Sequence, residues 1–468
     1  MKNFLHYLLI GCFLISLSAC TKNSFEDTPQ TTLKICTGFS GKIHEAFLLY
    51  LEAFNKSQTS VKAEVVDKGN YLDVFKTVIA EKDKPLEARP DLYHISEFAS
   101  PTIIAHYQNS TSQGKKLIPV GEIIPALNDM QFFAGLEENY GLNGTLLGFP
   151  FNPSMGIMFV NQELLQKAYG PNYQWKYSTP MSWDELIAFT EKTLGILRTK
   201  EPGKKFYGFT FPWSAAYTYE YLTSMTNMPI TTHENGFDDM YKARFILHRN
   251  PHIIDFFEKL RQWSKQDIYR YVSDFSNVAE EAFAQGDTLI LMQGVGRLND
   301  IQKEISKAKQ KFDLSFAPLP YDRKAIESPY APKIGGGAFW ATNKSEGVRL
   351  FLDFVSTPEN QVLWSKLSGY MPSTIKAHQI LEERNFYQSN PAVKIALSQV
   401  IERPWSLLTH TRLGDYGDIR GKLFNGMLVQ FLNSTQDAKE FLKSFDTNAN
   451  EKLEVFALEK LKSNPENN

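Results

Sequence analysis

Apolar and polar positions change rhythm many times along this chain, and each change marks an element. Leu33-Lys34-Ile35-Cys36 is a short apolar run closed by Gly38, and it predicts a strand over LKICTG. From His44 to Asn55 the apolar residues fall at Phe47, Leu48, Leu51 and Phe54, the stripe of an amphipathic helix. VKAEVVDKG reads as a second strand, and DLYHIS, entered after Pro90, as a third. In STPMSWDELIAFTEKTL, Ser182 stands three residues before Glu185, a capping box ahead of an apolar face. TPENQVLWSKLSG places Thr357 at an N-cap and Pro358 at the first helical position, and stops at Gly369. A long helical stretch is expected over about 240–305, followed by the Gly-rich strand APKIGGGAFWATN. No short-period repeat is evident. Such alternation predicts an α/β protein with mostly parallel sheets, whose ligands gather at the carboxyl ends of strands.

The length, 468 residues, allows two or three domains, and 43% apolar residues supply their cores. A formal net charge of -2 argues against a nucleic-acid partner, which asks for a basic excess or stripe. The first twenty residues, MKNFLHYLLIGCFLISLSAC, place Lys2 before an apolar run that is short for a membrane span, with small residues behind it. This is the order of parts in a secretory signal over 1–19. Leu17-Ser18-Ala19-Cys20 is similar to the bacterial lipobox, so Cys20 is the expected lipidation site, and 20–31 is the expected tether. Cys12 falls in the segment to be removed, which leaves Cys36, an expected buried strand residue, and no intramolecular disulfide.

Reactive constellations are missing. There is no G-x-S-x-G, H-E-x-x-H, P-loop or cysteine pair with zinc spacing, so no catalytic residue, metal or cofactor is implied. Gly335, Gly336 and Gly337 lack the dinucleotide spacing and are expected to let a backbone or ligand approach closely. Arg412 and Arg420 flank the turn-forming stretch TRLGDYGDIR. They read either as solvated surface charges or as an anion clamp, since the guanidinium fork suits phosphate and carboxylate.

The motifs DKGNYLDVF, RPDLYHISE, LLGFPFNPSMGIMFVN, MSWDEL, FAQGD, IGGGAFW, STPEN, SGYMPST and RLGDYGDIR follow one another in an order that resembles the extracellular solute-binding proteins of ABC importers. The similarity runs from about residue 33 to 455, and is greatest to the sn-glycerol-3-phosphate-binding branch of the family that also includes maltose-binding protein. The resemblance implies the two-lobed type II periplasmic-binding fold, with hinge strands crossing near 152–156, 335–337 and 373. Lobe one would be 32–154 with 338–373, and lobe two 155–337 with 374–468. It also implies a ligand site of Tyr71, Glu97, Ser154, Trp213, Gly294, Gly336, Tyr370, Arg412 and Arg420, with Arg420 on the phosphate. Two departures from the family pattern stand out. Gly294 and Val295 replace phosphate-donating serines, although their backbone N–H groups remain as donors, and Ala216 replaces a second tryptophan. Both changes suit a ligand larger than glycerol 3-phosphate. The function implied is a monomeric, membrane-anchored lipoprotein of the periplasm or cell envelope. It captures glycerol 3-phosphate or a glycerophosphodiester and delivers it to permease subunits. A carbohydrate receptor is the alternative within the class, and an exported hydrolase the alternative outside it.

Overall fold

The computed structural model describes residues 31–81, 84–108, 117–212, 216–272, 277–424 and 426–462. The signal segment and Cys20 lie outside them. Among the described residues nine strands form the two larger sheets: β1 (Thr31–Thr37), β2 (Val61–Asp67), β3 (Leu92–Ser96), β4 (Phe149–Pro150), β5 (Gly156–Asn161), β6 (Tyr207–Thr210), β7 (Thr288–Gly294), β8 (Leu314–Ala317) and β9 (Gly337–Ala341). The first sheet has the order β2-β1-β3-β9-β4, the second β8-β5-β7-β6. The chain leaves the first sheet after Pro150, builds the second, and returns to the first at Gly337.

The sheets are mixed, which corrects the expectation of mostly parallel pairing. β1–β2, β1–β3 and β6–β7 are parallel, whereas β3–β9, β4–β9, β5–β7 and β5–β8 run antiparallel. The reversal follows from the return: β9 enters the first sheet from the side of the second, so it runs against β3. A second correction concerns 240–305, where the buried strand β7 interrupts the helices. Its run TLILMQG is short and apolar on both faces, and periodicity alone cannot tell such a run from a buried helical turn.

Among the helices that frame the sheets and the crossing between them are α1 (Gly41–Ser57), α2 (Tyr71–Glu81), α3 (Leu136–Tyr140), α4 (Trp183–Lys200), α5 (Leu298–Lys307), α6 (Pro358–Ser368), α7 (Tyr416–Ile419) and α8 (Ala438–Lys462). The α4 capping box forms in full, with Ser182 and Glu185 satisfying each other's backbone N–H groups. Gly369 ends α6 in the left-handed conformation that glycine adopts without penalty. Thr357 sits at the α6 N-cap, but its hydroxyl donates to the Asp353 carbonyl at 2.9 Å instead of capping.

One apolar cluster surrounds the first sheet, where Phe47, Phe151, Phe339 and Trp364 pack as rings, and continues under one face of the second through Phe159 and Leu291. The other face of the second sheet, through Met158, Val160 and Ile290, belongs to a separate cluster. Alternate residues of β5 therefore serve different cores, as the period of two requires. Cys36 is buried in β1, and burial pushes its thiol up to about 12, out of reach of thiolate chemistry.

Candidate ligand site

The crossing segments between the sheets meet as a backbone pair. Ser154 N–H donates to the Gly335 carbonyl at 3.0 Å, and Gly335 N–H returns a bond to Ser154 at 2.8 Å. A third segment closes on them, with Met371 N–H donating to the Pro153 carbonyl at 3.2 Å and the Ser373 hydroxyl to Pro150 at 2.7 Å. Gly336 lies at φ +119, and a Cβ there would overlap the Asn152 carbonyl oxygen. A Cβ on Gly337 would stand 2.6 Å from the His94 ring. Glycine at these positions is therefore what lets the segments cross at this separation.

Around this crossing the structure brings several charged and polar groups together. Glu97 follows β3 and is 4% exposed. Its Oε2 accepts from Gly336 N–H at 3.0 Å, and its own N–H donates to the Gly336 carbonyl at 3.1 Å. Its Oε1 lies 3.9 Å from Nη1 of Arg420. Arg420 opens a short π-helical turn behind α7, is 9% exposed, and stacks over the Phe98 ring with Cζ 4.3 Å from the centroid. Glu97 and Phe98 thus frame the guanidinium from the side of the first sheet, while Ile419 beside it belongs to the second core. The turn comes this close because Gly417 faces Phe75 of α2, where a Cβ would stand 3.1 Å from the ring.

Tyr71 begins α2, and its hydroxyl accepts from Asn152 Nδ2 at 3.0 Å. Its hydroxyl favours negative charge on the oxygen of Tyr370, whose ring stacks against Trp364 and presses on Gly296. Burial pushes the Tyr370 phenol up, so it stays protonated. The Ser154 hydroxyl accepts from Gly296 N–H at 3.2 Å. Tyr71, Glu97, Ser154, Gly336, Tyr370 and Arg420 accordingly share one locality. Trp213 lies outside the described residues, as does the Ala216 side chain. His94, Phe98, Asn152 and Gly296 also belong here. His94 and Asn152 lie within quoted motifs and Phe98 adjoins one, whereas Gly296 becomes visible only in space.

Two sequence expectations need correction. The N–H groups of Gly294 and Val295 are engaged: Gly294 donates to the Gln293 side chain at 2.8 Å and Val295 to the Met155 carbonyl at 2.9 Å. They are held by the strand end and its neighbour, so they do not replace the missing serines. Arg412 does not join Arg420. Its Nη2 donates to the carbonyls of Glu138 and Gly141 at 2.7 and 3.0 Å, at the C-terminal end of α3, and its guanidinium lies over Phe237. Carbonyls at a helix end attract a cation, so Arg412 caps α3 and ties it to the loop before α7.

Asp415, on the Arg420 turn, lines a crevice of about 850 Å³ between α2 and α8. Burial, reinforced by the Asp418 carboxylate, pushes its carboxyl up to about 7. An unfolded aspartate titrates near about 3.9, so between these values the folded chain holds the extra proton. Asp415 therefore adds stability at low pH that is lost as pH rises through about 7. The urea midpoint of wild type should fall between pH 5 and pH 8 by more than that of Asp415→Asn. Equal slopes would remove Asp415 as the cause.

Among the described residues no group of histidine, cysteine or carboxylate side chains could hold a metal ion, and no helix is long and apolar enough to cross a membrane. Residues 50–395 match the family model described as bacterial extracellular solute-binding protein. The sn-glycerol-3-phosphate-binding periplasmic protein UgpB of Rhizobium meliloti (strain 1021) is 27% identical over 92% of this chain and 96% of its own. Its namesake from Salmonella typhimurium (strain LT2) is 26% identical over 83% and 85%. UgpB of Mycobacterium tuberculosis, solved with glycerophosphocholine, superposes with a TM-score of 0.63 at 19% identity, over 92% of this chain and 100% of that one. The cyclic alpha-maltosyl-1,6-maltose binding protein of Arthrobacter globiformis gives 0.68 at 15%, over 91% and 100%.

Proposed function

Because the chain belongs to the bacterial extracellular solute-binding protein family, we propose that it captures a glycerophosphate-type solute for an ABC importer. The observation that carries this reading is the buried Arg420 guanidinium at the crossing, framed by Glu97 and Phe98 and near a tyrosine pair. Arg420 supplies parallel charge-assisted donors to a phosphate, and Glu97 accepts from ligand hydroxyls. The lobes are 32–154 with 338–373 and 155–337 with 374–468, and they close on the ligand to present a joined surface to the permease.

Within this class a phosphodiester suits the site better than a monoester dianion. The Gly294 and Val295 donors are engaged elsewhere, and the Glu97 carboxylate near Arg420 offsets part of its charge. The ligand named for the Mycobacterium relative, glycerophosphocholine, is such a diester. The sugars named for other structural relatives make carbohydrate the second reading. A thermal-shift panel of glycerol 3-phosphate, glycerophosphocholine and maltose separates these readings. A ligand at one hundred times its Kd adds about 2.7 kcal/mol of stability. Glycerophosphocholine should bind at least as tightly as glycerol 3-phosphate. A response to maltose alone would replace the phosphate reading.

We also propose that Cys20 carries the membrane anchor and that the mature protein is a monomer. More than one acyl chain is needed for stable anchoring. Wild type should fractionate with membranes and Cys20→Ser with the soluble fraction. Soluble wild-type protein with no mass added at Cys20 would end this part of the reading.

A further inference from the structure

We propose that buried His94 is a positioning residue that orients a hydrogen-bond chain through Asn152 and Tyr71 to Tyr370, and so makes the last hydroxyl a donor toward the ligand. This rests on the glycerophosphate reading and adds a polarity rule to it: the ligand atom at this subsite is an oxygen acceptor.

His94 lies on β3, fully enclosed, among the rings of Phe39, Phe151 and Phe339. Burial lowers its pKa to about 3, so the imidazole is neutral and carries one N–H. Its Nε2 stands 2.8 Å from Asn152 Oδ1. Nδ1 has no hydrogen-bond partner among the described residues. The Asn152 amide oxygen can only accept, so Nε2 carries the proton. Asn152 must then present its oxygen to His94, which turns its Nδ2 to the Tyr71 hydroxyl at 3.0 Å. Tyr71 accepts this bond, which leaves its own proton to give, and its hydroxyl favours negative density on the Tyr370 oxygen, the side a donor presents. Tyr370 also meets Asn152, and the nearby Arg297 charge favours negative density on its oxygen. With its oxygen accepting, Tyr370 directs its proton outward. Every link passes a donor in the same direction, and the direction is set at the histidine. A ligand amide or ammonium at the end of the chain would meet donor against donor, whereas a phosphate or ester oxygen completes it.

The test is a double-mutant cycle on binding, read by calorimetry with glycerophosphocholine and glycerol 3-phosphate. His94→Leu should weaken wild type about tenfold or more, but less than about twofold in a Tyr370→Phe background, because the hydroxyl it orients is then missing. His94→Gln, whose amide can donate in place of Nε2–H, should restore affinity to within about threefold of wild type. Losses that multiply in the double mutant, or no rescue by glutamine, would overturn the proposal. If His94→Leu does not fold, Asn152→Leu takes its place in the same cycle. If wild type binds neither phosphate, the ligand reading fails, and the chain is tested in the free protein. There, His94→Gln should keep the urea midpoint of wild type, and Asn152→Leu and Tyr71→Phe should lower it by less together than the sum of their separate effects. Additive shifts would overturn the chain itself.

Discussion

Arg420→Ala should weaken binding of glycerol 3-phosphate and glycerophosphocholine about 30- to 5,000-fold, equivalent to about 2–5 kcal/mol. The size follows from burial. Arg420 is 9% exposed, so water cannot take over the charge it supplies. Its loss leaves a desolvated phosphate without its cation beside the Glu97 carboxylate, two negative charges in one place with no guanidinium between them. Arg420→Lys should recover only part of the loss. A lysine keeps the charge but not the planar fork, nor the flat face that lies over Phe98. Arg412→Ala makes the contrast. Its guanidinium serves the carbonyls of Glu138 and Gly141, so affinity should change by no more than about threefold while the urea midpoint falls, since orphaned carbonyls cost about 1–3 kcal/mol. Calorimetry on folded variants decides. Arg420→Ala binding within twofold of wild type would sink the clamp, and a larger loss from Arg412 than from Arg420 would exchange their roles.

Gly336→Ala should be the most damaging single methyl in the site. Its φ of +119 lies where a side chain is strained, at about 1–3 kcal/mol from conformation alone. The added Cβ would also overlap the Asn152 carbonyl oxygen, a backbone atom that cannot turn aside. Relief requires the two crossing segments to separate. That breaks the bond from Gly336 N–H to Glu97 and moves Asn152, so stability and affinity should fall together. Gly69→Ala is the control, because Gly69 has φ +75 with nothing within 4 Å of a Cβ. It carries conformational strain without overlap. Urea unfolding of both variants separates the effects, and equal midpoints would show that close approach contributes nothing at Gly336.

Local signals are legible in the sequence because their causes are local. The capping box at Ser182 and Glu185, the stop at Gly369 and the stripe on α1, which buries Phe47, Leu51 and Phe54 but leaves Leu48 exposed, depend on residues three or four apart. The close approach expected of the glycine triplet is present at two of its three positions: a Cβ on Gly336 or Gly337 would overlap a neighbour, whereas one on Gly335 would stand 3.7 Å from the nearest atom. Strand direction is not legible in this way. Whether β9 runs with or against β3 depends on the path the chain takes through the second sheet, and no window of residues records it. The site divides in the same way. The resemblance supplies Glu97 and Arg420, which the fold sets 3.9 Å apart. It does not show that Arg412, eight positions from Arg420, turns to a helix end, or that the Gly294 and Val295 N–H groups are already bonded. Those outcomes depend on which carbonyls lie nearby after folding. Gly296 and His94 carry no chemical signature of their own, and matter only through what presses on them.

The position of β9 also sets a timetable. This strand lies inside the first sheet, between β3 and β4, yet it begins at Gly337, long after both have been made. A chain emerging N-terminus first exposes β1, β2 and β3 with the antiparallel side of β3 unpaired until nearly three quarters of the polypeptide has appeared. Long-range pairing of this kind is slow, because the intervening segment must be ordered before the contact rewards it. The first sheet therefore cannot be completed early during synthesis. For a protein that crosses a membrane before it functions, that delay is an advantage, since a chain not yet folded can still be threaded. Fragments ending before Gly337 should remain in this waiting state, open along one edge and prone to pair with each other.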